Sequence, residues 1–463
     1  MTSKFRTEKD SLGEVQVPSD SLYGAQTQRA IDNFPVSGYP LPVPFIRAVI
    51  AIKRAAAEVN RGLGLLDENI AQAIIAACDQ VGGEDFARQF PVDVFQTGSG
   101  TSTNMNVNEV LARLASRASG IDVGANDHVN MSQSSNDVIP SAIHLSAMLE
   151  IQNHLLPAFW HLQQSIDHRA VELTDVVKTG RTHLMDAVPV TLQQELSAWS
   201  AQLELSCERL ESALPRLAQL AQGGTAVGTG LNAHEDFADR FAQRLSLDCG
   251  IALRPASNAF AAIASQDTAV EVSGHLKAAA VALMKIANDL RWMNSGPLAG
   301  FGEIALPSLQ PGSSIMPGKV NPVIAESVAM VSARVIGNDS AITVAGQSGN
   351  FQLNVMLPLV AFSLLESIHL LGNGAKLLAD KAIDGFEVKR ARIEEALGRN
   401  PILVTALNPV IGYSAAAKIA KAAYSSGRPI LDVALEMTDL PEETLREILD
   451  PARLARGGII RGE

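Results

Sequence analysis

The sequence predicts an all-α protein built around a bundle of long helices, and three observations predict it. Alanine and leucine abound while aromatic residues make up only 5% of the chain, which suits helices better than sheets. Apolar residues recur at spacings of three and four over long runs, the signature of a helix with one buried face. Proline, glycine and small polar residues are gathered into a few islands between those runs, where turns belong. At 463 residues the chain exceeds what one core holds, so roughly two to four domains are expected.

Residues 1–40 ("VPSDSLYG", "FPVSGYPLPVP") are rich in turn formers and read as an irregular arm, with helical patterning starting near Pro44. The segment "TSTNMNVNEV", inside the polar island 97–110, alternates polar and apolar residues. Period alone makes it a strand, but amides on every second residue suit a ligand-lining loop entering a helix. A second island, "NDHVNMSQSSND" (126–137), precedes a helical run over 137–176. A third, "TGRTHLMDAVP" (179–189), precedes the strongest stripe: Leu192, Leu196, Trp199, Leu203, Cys207, Leu210 and Leu214. Pro215 is expected to kink or end that helix. Further long runs cover 258–295, 322–347 and 351–381, and sustained seams of this kind suit a bundle that continues across subunits. Between them lies "PGSSIMPGKVNP" (311–322), whose three prolines and two glycines forbid a helix. The remainder, from about residue 382, is shorter and more charged, with turns at "GRNPIL" and "SGRPIL".

A net charge of −12 argues against a nucleic-acid binder, which needs a basic face. Any anionic ligand must be held by local donors. Cys78, Cys207 and Cys249 are few, odd in number and widely spaced, which excludes a disulfide framework and a cysteine-based zinc site and suits a reducing cytoplasm. The start "MTSKFRTEKDSLGEV" has no apolar h-region. The uncharged stretch between Asp339 and Glu366 contains Gln347, Asn350, Gln352, Asn354 and Pro358, so it reads as a buried core helix and not as a membrane span.

Several motifs fail on inspection. "GSSIMPGK" has five residues between Gly312 and Gly318, and Val320 follows Lys319, so it is no phosphate-binding P-loop. "GGTAVGTGLNAH" lacks the third glycine of a dinucleotide fingerprint. His154, His161 and His168 recur every seven residues, about 10 Å apart on a helix, too far to share one metal ion. His183 differs: it follows Arg181 and Thr182, and an imidazole beside an anion binder and hydroxyls is a candidate base near neutral pH. The four islands are dense in hydroxyls and amides. Such groups serve as caps and turn formers, and they also bind carboxylates without carrying charge.

"GSSIMPGKVNP" resembles the hallmark loop of the fumarase/aspartase superfamily. "TGSGTSTNMNVNEV", "SQSSND", "GRTHLMDAVPVTLQQE" and "TEKDSLGEVQVPSDSLYGAQTQRA" resemble class II fumarases in particular, and the likeness covers nearly the whole chain. It implies an all-helical homotetramer whose subunits pool long helices into a 20-helix core. The implied domains are an N-terminal one (1–135), a central bundle (136–362) and a small helical C-terminal one (363–463). The implied activity is reversible hydration of fumarate to L-malate, without metal or organic cofactor, in sites assembled from three subunits.

By this resemblance Ser313 is the carbon base, with loop N–H groups around Gly312 and Gly318, and Lys319 nearby, to stabilise its alkoxide. Lys319 and Asn321 hold the carboxylate where charge develops, His183 serves the oxygen side, and Glu326 orients His183. Ser99, Gly100, Thr101, Ser134, Ser135, Asn136, Thr182, Ser314 and Val320 complete the substrate site. Departures exist. The family's second dicarboxylate site runs His-Pro-Asn-Asp, whereas this chain has Gly124, Ala125, Asn126 and Asp127, and its carboxyl-terminal domain is shorter. Related readings on the same scaffold are mesaconate hydratase, an ammonia lyase (disfavoured by His183) or a non-catalytic structural relative. No nucleic-acid or membrane partner is expected.

Overall fold

Helix propensity and apolar period set the architecture, with the strands confined to small two-stranded pairs. The computed structural model describes residues 5–81 and 86–459. The arm is more ordered than its composition predicts. β1 (Phe5–Asp10) and β2 (Gly13–Pro18) form an antiparallel hairpin pairing Phe5 with Pro18 and Asp10 with Gly13. Gly13 at φ 115° permits the turn. Arg6 ties the hairpin down by donating to the carbonyls of Pro18 and Ser21, both at 2.7 Å. A long-range cation fixed what local composition left open.

The helices follow: α1 (Ala25–Asn33), α2 (Val43–Gly62), α3 (Glu68–Gln80), the single turn α4 (Phe86–Gln89) and α5 (Thr101–Ser119). The strand reading of "TSTNMNVNEV" fails, and so does the loop reading, because the whole segment is helical from Thr101. Asn104, Asn106 and Asn108 alternate with apolar residues because this turn of helix is buried all round, its amides bonding to neighbouring segments. α6 (Ser135–Glu150) passes through a π-helical turn (Ile151–Leu155) into α7 (Leu156–Glu172). β3 (Val177–Thr182) and β4 (Met185–Thr191) lead into α8 (Leu192–Leu217), which ends one turn past the expected stripe with Pro215 in its last turn. α9 (Phe237–Cys249), α10 (Ala259–Ala264), α11 (Asp267–Met293), α12 (Val323–Gly346) and α13 (Leu357–Leu378) complete the long elements. The run expected from 351 starts only at Leu357, because Gly349–Asn350 and Leu353–Asn354 pair around Phe351.

The chain divides into two compact units. The first comprises Met1–Pro157, Ser206–Ala280 and Ser332–Gly372; α2 packs there on α3, α6 and α9 through Phe45, Ile46, Val49, Ile52 and Val59. The second comprises Ala158–Leu205, Val281–Val331 and Asn373–Glu463. Its carboxyl-terminal helices share a core of Leu407, Ile419, Ala434, Leu445 and Ile448. One helical stretch, Leu357–Ile383, is long and apolar enough to cross a membrane by length and composition, but 67% of its most apolar window is buried inside the protein. The spaced histidines go separate ways: His154 stacks on His369 at 5.4 Å, while His161 Nε2 lies 2.6 Å from Asp380.

Candidate active site

In the first unit, the "TGSG" island is a tight turn leading into α5. A Cβ on Gly98 would lie 1.8 Å from the Val355 carbonyl, and Gly100 has φ 73° with Ile139 packed against it, so neither tolerates a side chain. The turn brings Ser99 Oγ to 2.8 Å from Thr101 Oγ1. Ser134 caps α6. Its Oγ accepts from Asn136 N at 3.2 Å, while Asp137 Oδ1 accepts from Ser134 N at 2.9 Å, a reciprocal capping box.

Asp137 does more than cap. Its other oxygen accepts from Gln222 Nε2 (3.1 Å), Gly223 N (3.0 Å) and Thr225 N (2.9 Å). Asn136 Nδ2 donates to Ala226 O at 2.8 Å. The glycine-rich segment that fails as a dinucleotide motif therefore packs against the "SSND" turn. Burial pushes the Asp137 carboxyl up to about 6 against the N–H bonds that lower it.

Thr101, Ser134, Ser135 and Asn136 line one cavity of about 440 Å³ together with Thr225 and Asn232. Ser99 and Gly100 lie buried beside it and do not line it. Among the described residues, six non-glycine residues have left-handed φ, and three of them line this cavity: Ser132 (62°), Thr225 (54°) and Asn232 (66°). Backbone held in sparsely populated conformations gathers at functional sites. Sequence reasoning missed Thr225 and Asn232, although "GGTAVGTGLN" carried the signal in its glycines.

Gly124, Ala125, Asn126 and Asp127 lie apart from that cavity. Ala125–Val129 is a π-helical turn in which Gly124 N donates to His128 Nδ1 at 2.9 Å. Ala125 and Asn126 border a different cavity of about 540 Å³. It holds Lys9, Arg113 and Arg117 but also Glu8, Asp10, Glu109 and Asp122, and Arg113 is already paired with Glu8. Those arginines escaped the sequence reading because they lie a helix away.

In the second unit, β3 and β4 form a hairpin whose tip is His183 (φ 56°) and Leu184 (φ 60°), flanked by paired Thr182 and Met185. Two consecutive left-handed residues make the tight turn that hairpin twist favours, although asparagine and glycine usually occupy it. His183 and Thr182 are exposed at the tip. The base is anchored by buried charge: Lys178 Nζ lies 2.5 Å from Glu195 and 2.7 Å from Glu303. Arg181 reaches Glu303 at 2.5 Å and covers the Phe301 ring at 4.3 Å. Burial alone raises the Glu303 carboxyl, but Arg181 and Lys178 outweigh it and hold the group below the usual range.

The 311–322 loop closes on itself. Gly312 N donates to Lys319 O at 2.8 Å, and a Cβ on Gly312 would lie 2.5 Å from that oxygen. Ser313 Oγ accepts from Ile315 N (3.2 Å) and Met316 N (3.0 Å). The expected N–H groups on Ser313 are thus those of Ile315 and Met316; that of Gly312 is used elsewhere. Asn321 donates to Gly312 O at 2.8 Å and accepts from Lys319 Nζ at 2.6 Å. Lys319, Val320, Asn321 and Glu326 line a cavity of about 830 Å³ with Arg291 and Lys389; Ser313, Ser314, Thr182 and His183 do not line it. Among the described residues, no hydrogen bond or ion pair joins His183 to Glu326 within one chain. One unit thus offers neutral donors suited to a carboxylate, and the other offers a lysine, an imidazole and a serine backed by two N–H groups.

Comparison with known proteins gives these halves a common context. A lyase family model matches residues 13–337, and a fumarase C carboxyl-terminal model matches 403–456. "Fumarate hydratase class II 2" of Pseudomonas aeruginosa is 63% identical over 98% of this chain and 99% of its own. A class II fumarate hydratase of Xylella fastidiosa is 58% identical over 99% and 97%. The solved class II fumarase from Schistosoma mansoni superposes with TM-score 0.94 at 38% identity, covering 97% of this chain and 99% of that one. A fumarate lyase:delta crystallin from Brucella melitensis gives 0.92 at 44%, with the same coverage. On family matches spanning most of its length and relatives this similar end to end, the chain belongs to the class II fumarate hydratases of the lyase family.

Proposed function

We propose that this chain is a fumarate hydratase, a carbon–oxygen lyase interconverting fumarate and L-malate through a carbanion stabilised as an aci-carboxylate. The observation that carries the mechanism is Ser313, whose oxygen receives the Ile315 and Met316 N–H groups. A serine is a weak base unless its alkoxide is stabilised, and two N–H donors supply that stabilisation. In dehydration Ser313 Oγ takes the proton from the carbon next to one carboxylate. The electron pair moves into that carboxylate, held by Lys319 and Asn321, and the hydroxyl on the neighbouring carbon leaves as water with a proton from His183. Hydration is the reverse. Ser99, Gly100, Thr101, Thr182, Ser314, Val320 and the Ser134–Asn136 turn bind or shape the dicarboxylate site, and Glu326 orients His183.

The same reading includes a cytoplasmic homotetramer with sites shared among three chains. Five of the seven exposed positions of α12, Met330, Ala333, Gly337, Ser340 and Val344, fall at heptad spacing, with Arg334 and Thr343 beside them, and suit a seam between long helices. A His183 unpaired with Glu326 in its own chain supports a carboxylate supplied by another. The domain division 1–135, 136–362 and 363–463 belongs to this reading too. Absorbance assays of purified protein with fumarate, mesaconate and aspartate in turn test it. Turnover of fumarate well above the other two is expected, and a clear preference for either of them would overturn it.

A further inference from the structure

Lys53 is wholly buried in the first unit, on the inward face of α2. A buried ammonium is costly unless hydrogen-bonded, and no step of the reaction uses this one. Its Nζ donates to Asn130 Oδ1 at 2.9 Å and to Gln133 Oε1 at 3.0 Å. Asn130 Oδ1 is a hub, accepting also from Asn104 Nδ2 and Asn108 Nδ2, both at 3.1 Å. Asn104 Nδ2 gives a second bond, at 3.0 Å, to Ser135 Oγ.

The order of causes follows from what each group can do. Charged or neutral, the Lys53 amino group has hydrogens for both oxygens facing it, so both amides turn their oxygens inward. With the Asn130 oxygen inward, Asn104 and Asn108 must present NH₂ groups to it. The second hydrogen of Asn104 then falls on Ser135 Oγ. A hydroxyl that accepts there still has its own hydrogen to give, and Ser135 lines the 440 Å³ cavity. The arrangement is held at a cost: the oxygens of Asn104 and Asn108 are buried without a partner. Without Lys53, only the 3.2 Å bond from Asn130 Nδ2 to Gln133 O still favours this orientation, and the Asn130 amide can reverse. Asn104 then turns its oxygen toward Ser135 and takes the hydrogen the substrate would receive.

We propose that Lys53 is a positioning residue of this enzyme, acting through Asn130 and Asn104 to fix the Ser135 hydroxyl as a donor to the substrate carboxylate. The inference rests on the reading of Ser135 as a substrate ligand, and the two are separable by experiment. Lys53→Met, Ser135→Ala and the double variant are compared by calorimetric titration with succinate, a dicarboxylate that cannot react, and by kcat and KM on L-malate. Lys53→Met is expected to weaken succinate binding and raise KM about tenfold, the scale of one directed hydrogen bond, with kcat within about threefold. The double variant should bind no more weakly than Ser135→Ala alone. Succinate binding unchanged in Lys53→Met but weakened in Ser135→Ala overturns the relay. Additive losses in the double variant, or a fall in kcat matching the loss of binding, also overturn it. Unchanged binding in Ser135→Ala removes the ligand reading on which it stands. If Lys53→Met does not fold, Asn104→Leu leaves the ammonium in place and breaks the relay one step later. It must show the same split between KM and kcat.

Discussion

Arg181 and Glu303 are joined at 2.5 Å two residues before His183, and Glu303 is buried. A hairpin with an exposed tip is thus held from beneath by an ion pair that Lys178 extends. Glu303→Gln leaves Arg181 beside a neutral amide while Lys178 keeps Glu195, a loss of about 3–5 kcal/mol for a broken buried pair. A lower Tm and a fall in kcat as His183 loses its fixed position are expected. The low carboxyl value sets the sign with pH. The pair's contribution is present above the ordinary glutamate range and is lost as pH falls through the depressed value. Acid denaturation should therefore start at higher pH in the variant, and coincident acid midpoints would show that the pair does not support the hairpin.

Ser313→Ala should nearly abolish turnover while leaving fold and assembly intact. The side chain sits on a half-exposed loop and packs against little, and its bonds are to the loop's own N–H groups. Succinate should still bind. Near-normal kcat would remove Ser313 from its role.

Mixing inactive Ser313→Ala chains with inactive His183→Asn chains, under conditions of proven subunit exchange, should restore part of the activity. Some sites then draw both intact residues from different chains. Verified hybrids that stay inactive would count against three-chain sites.

The segment Gly124–Asp127 should bind dicarboxylates weakly or not at all. No histidine stands at its first position, His128 Nδ1 is committed to Gly124 N, and the neighbouring cavity sets four carboxylates against three cations. Crystals soaked in malate test this, with strong density beside Asn126 and Asp127 the contrary result.

The Lys53 ammonium should also shape stability with pH. Burial lowers it to about 7, with Asp137 and Cys78 opposing the shift, from an unfolded value of about 10.5. Its favourable contribution is present above the unfolded value and lost as pH falls through about 7. Denaturant unfolding should show wild type gaining on Lys53→Met between pH 6.5 and 9.5, once Asp137 is ionised in both. A constant difference across that range would mean that Lys53 keeps its proton throughout.

The helical bundle was legible because its evidence is local. Leu192, Leu196, Trp199, Leu203, Cys207 and Leu210 are all buried along α8, and period alone reveals such a stripe. The alternation in "TSTNMNVNEV" misled because a helix buried on every side has no polar face, and its amides answer to partners far along the chain. The first forty residues misled for a related reason: Arg6 bonds to carbonyls 12 and 15 residues along the arm, and the Glu109 carboxylate, from outside, accepts from Gly24 N and Thr27 N. The chemistry-bearing motifs were legible as residue types. Lys53 was not, since nothing local distinguishes a lysine on an apolar helix face from one that snorkels to solvent.

The π-helical turn at Ala125–Val129 ends one residue before Asn130, the hub that orders the amides behind Ser135. Its shape is therefore under a constraint unconnected with ligand docking on Gly124–Asp127. A lineage could lose the histidine there, and with it an outer ligand, while selection for a correctly aimed Asn130 kept the backbone in place. The turn would then survive as scaffolding after its recognition role had lapsed, so a resembling backbone at that position in a relative is no guide to whether anything binds.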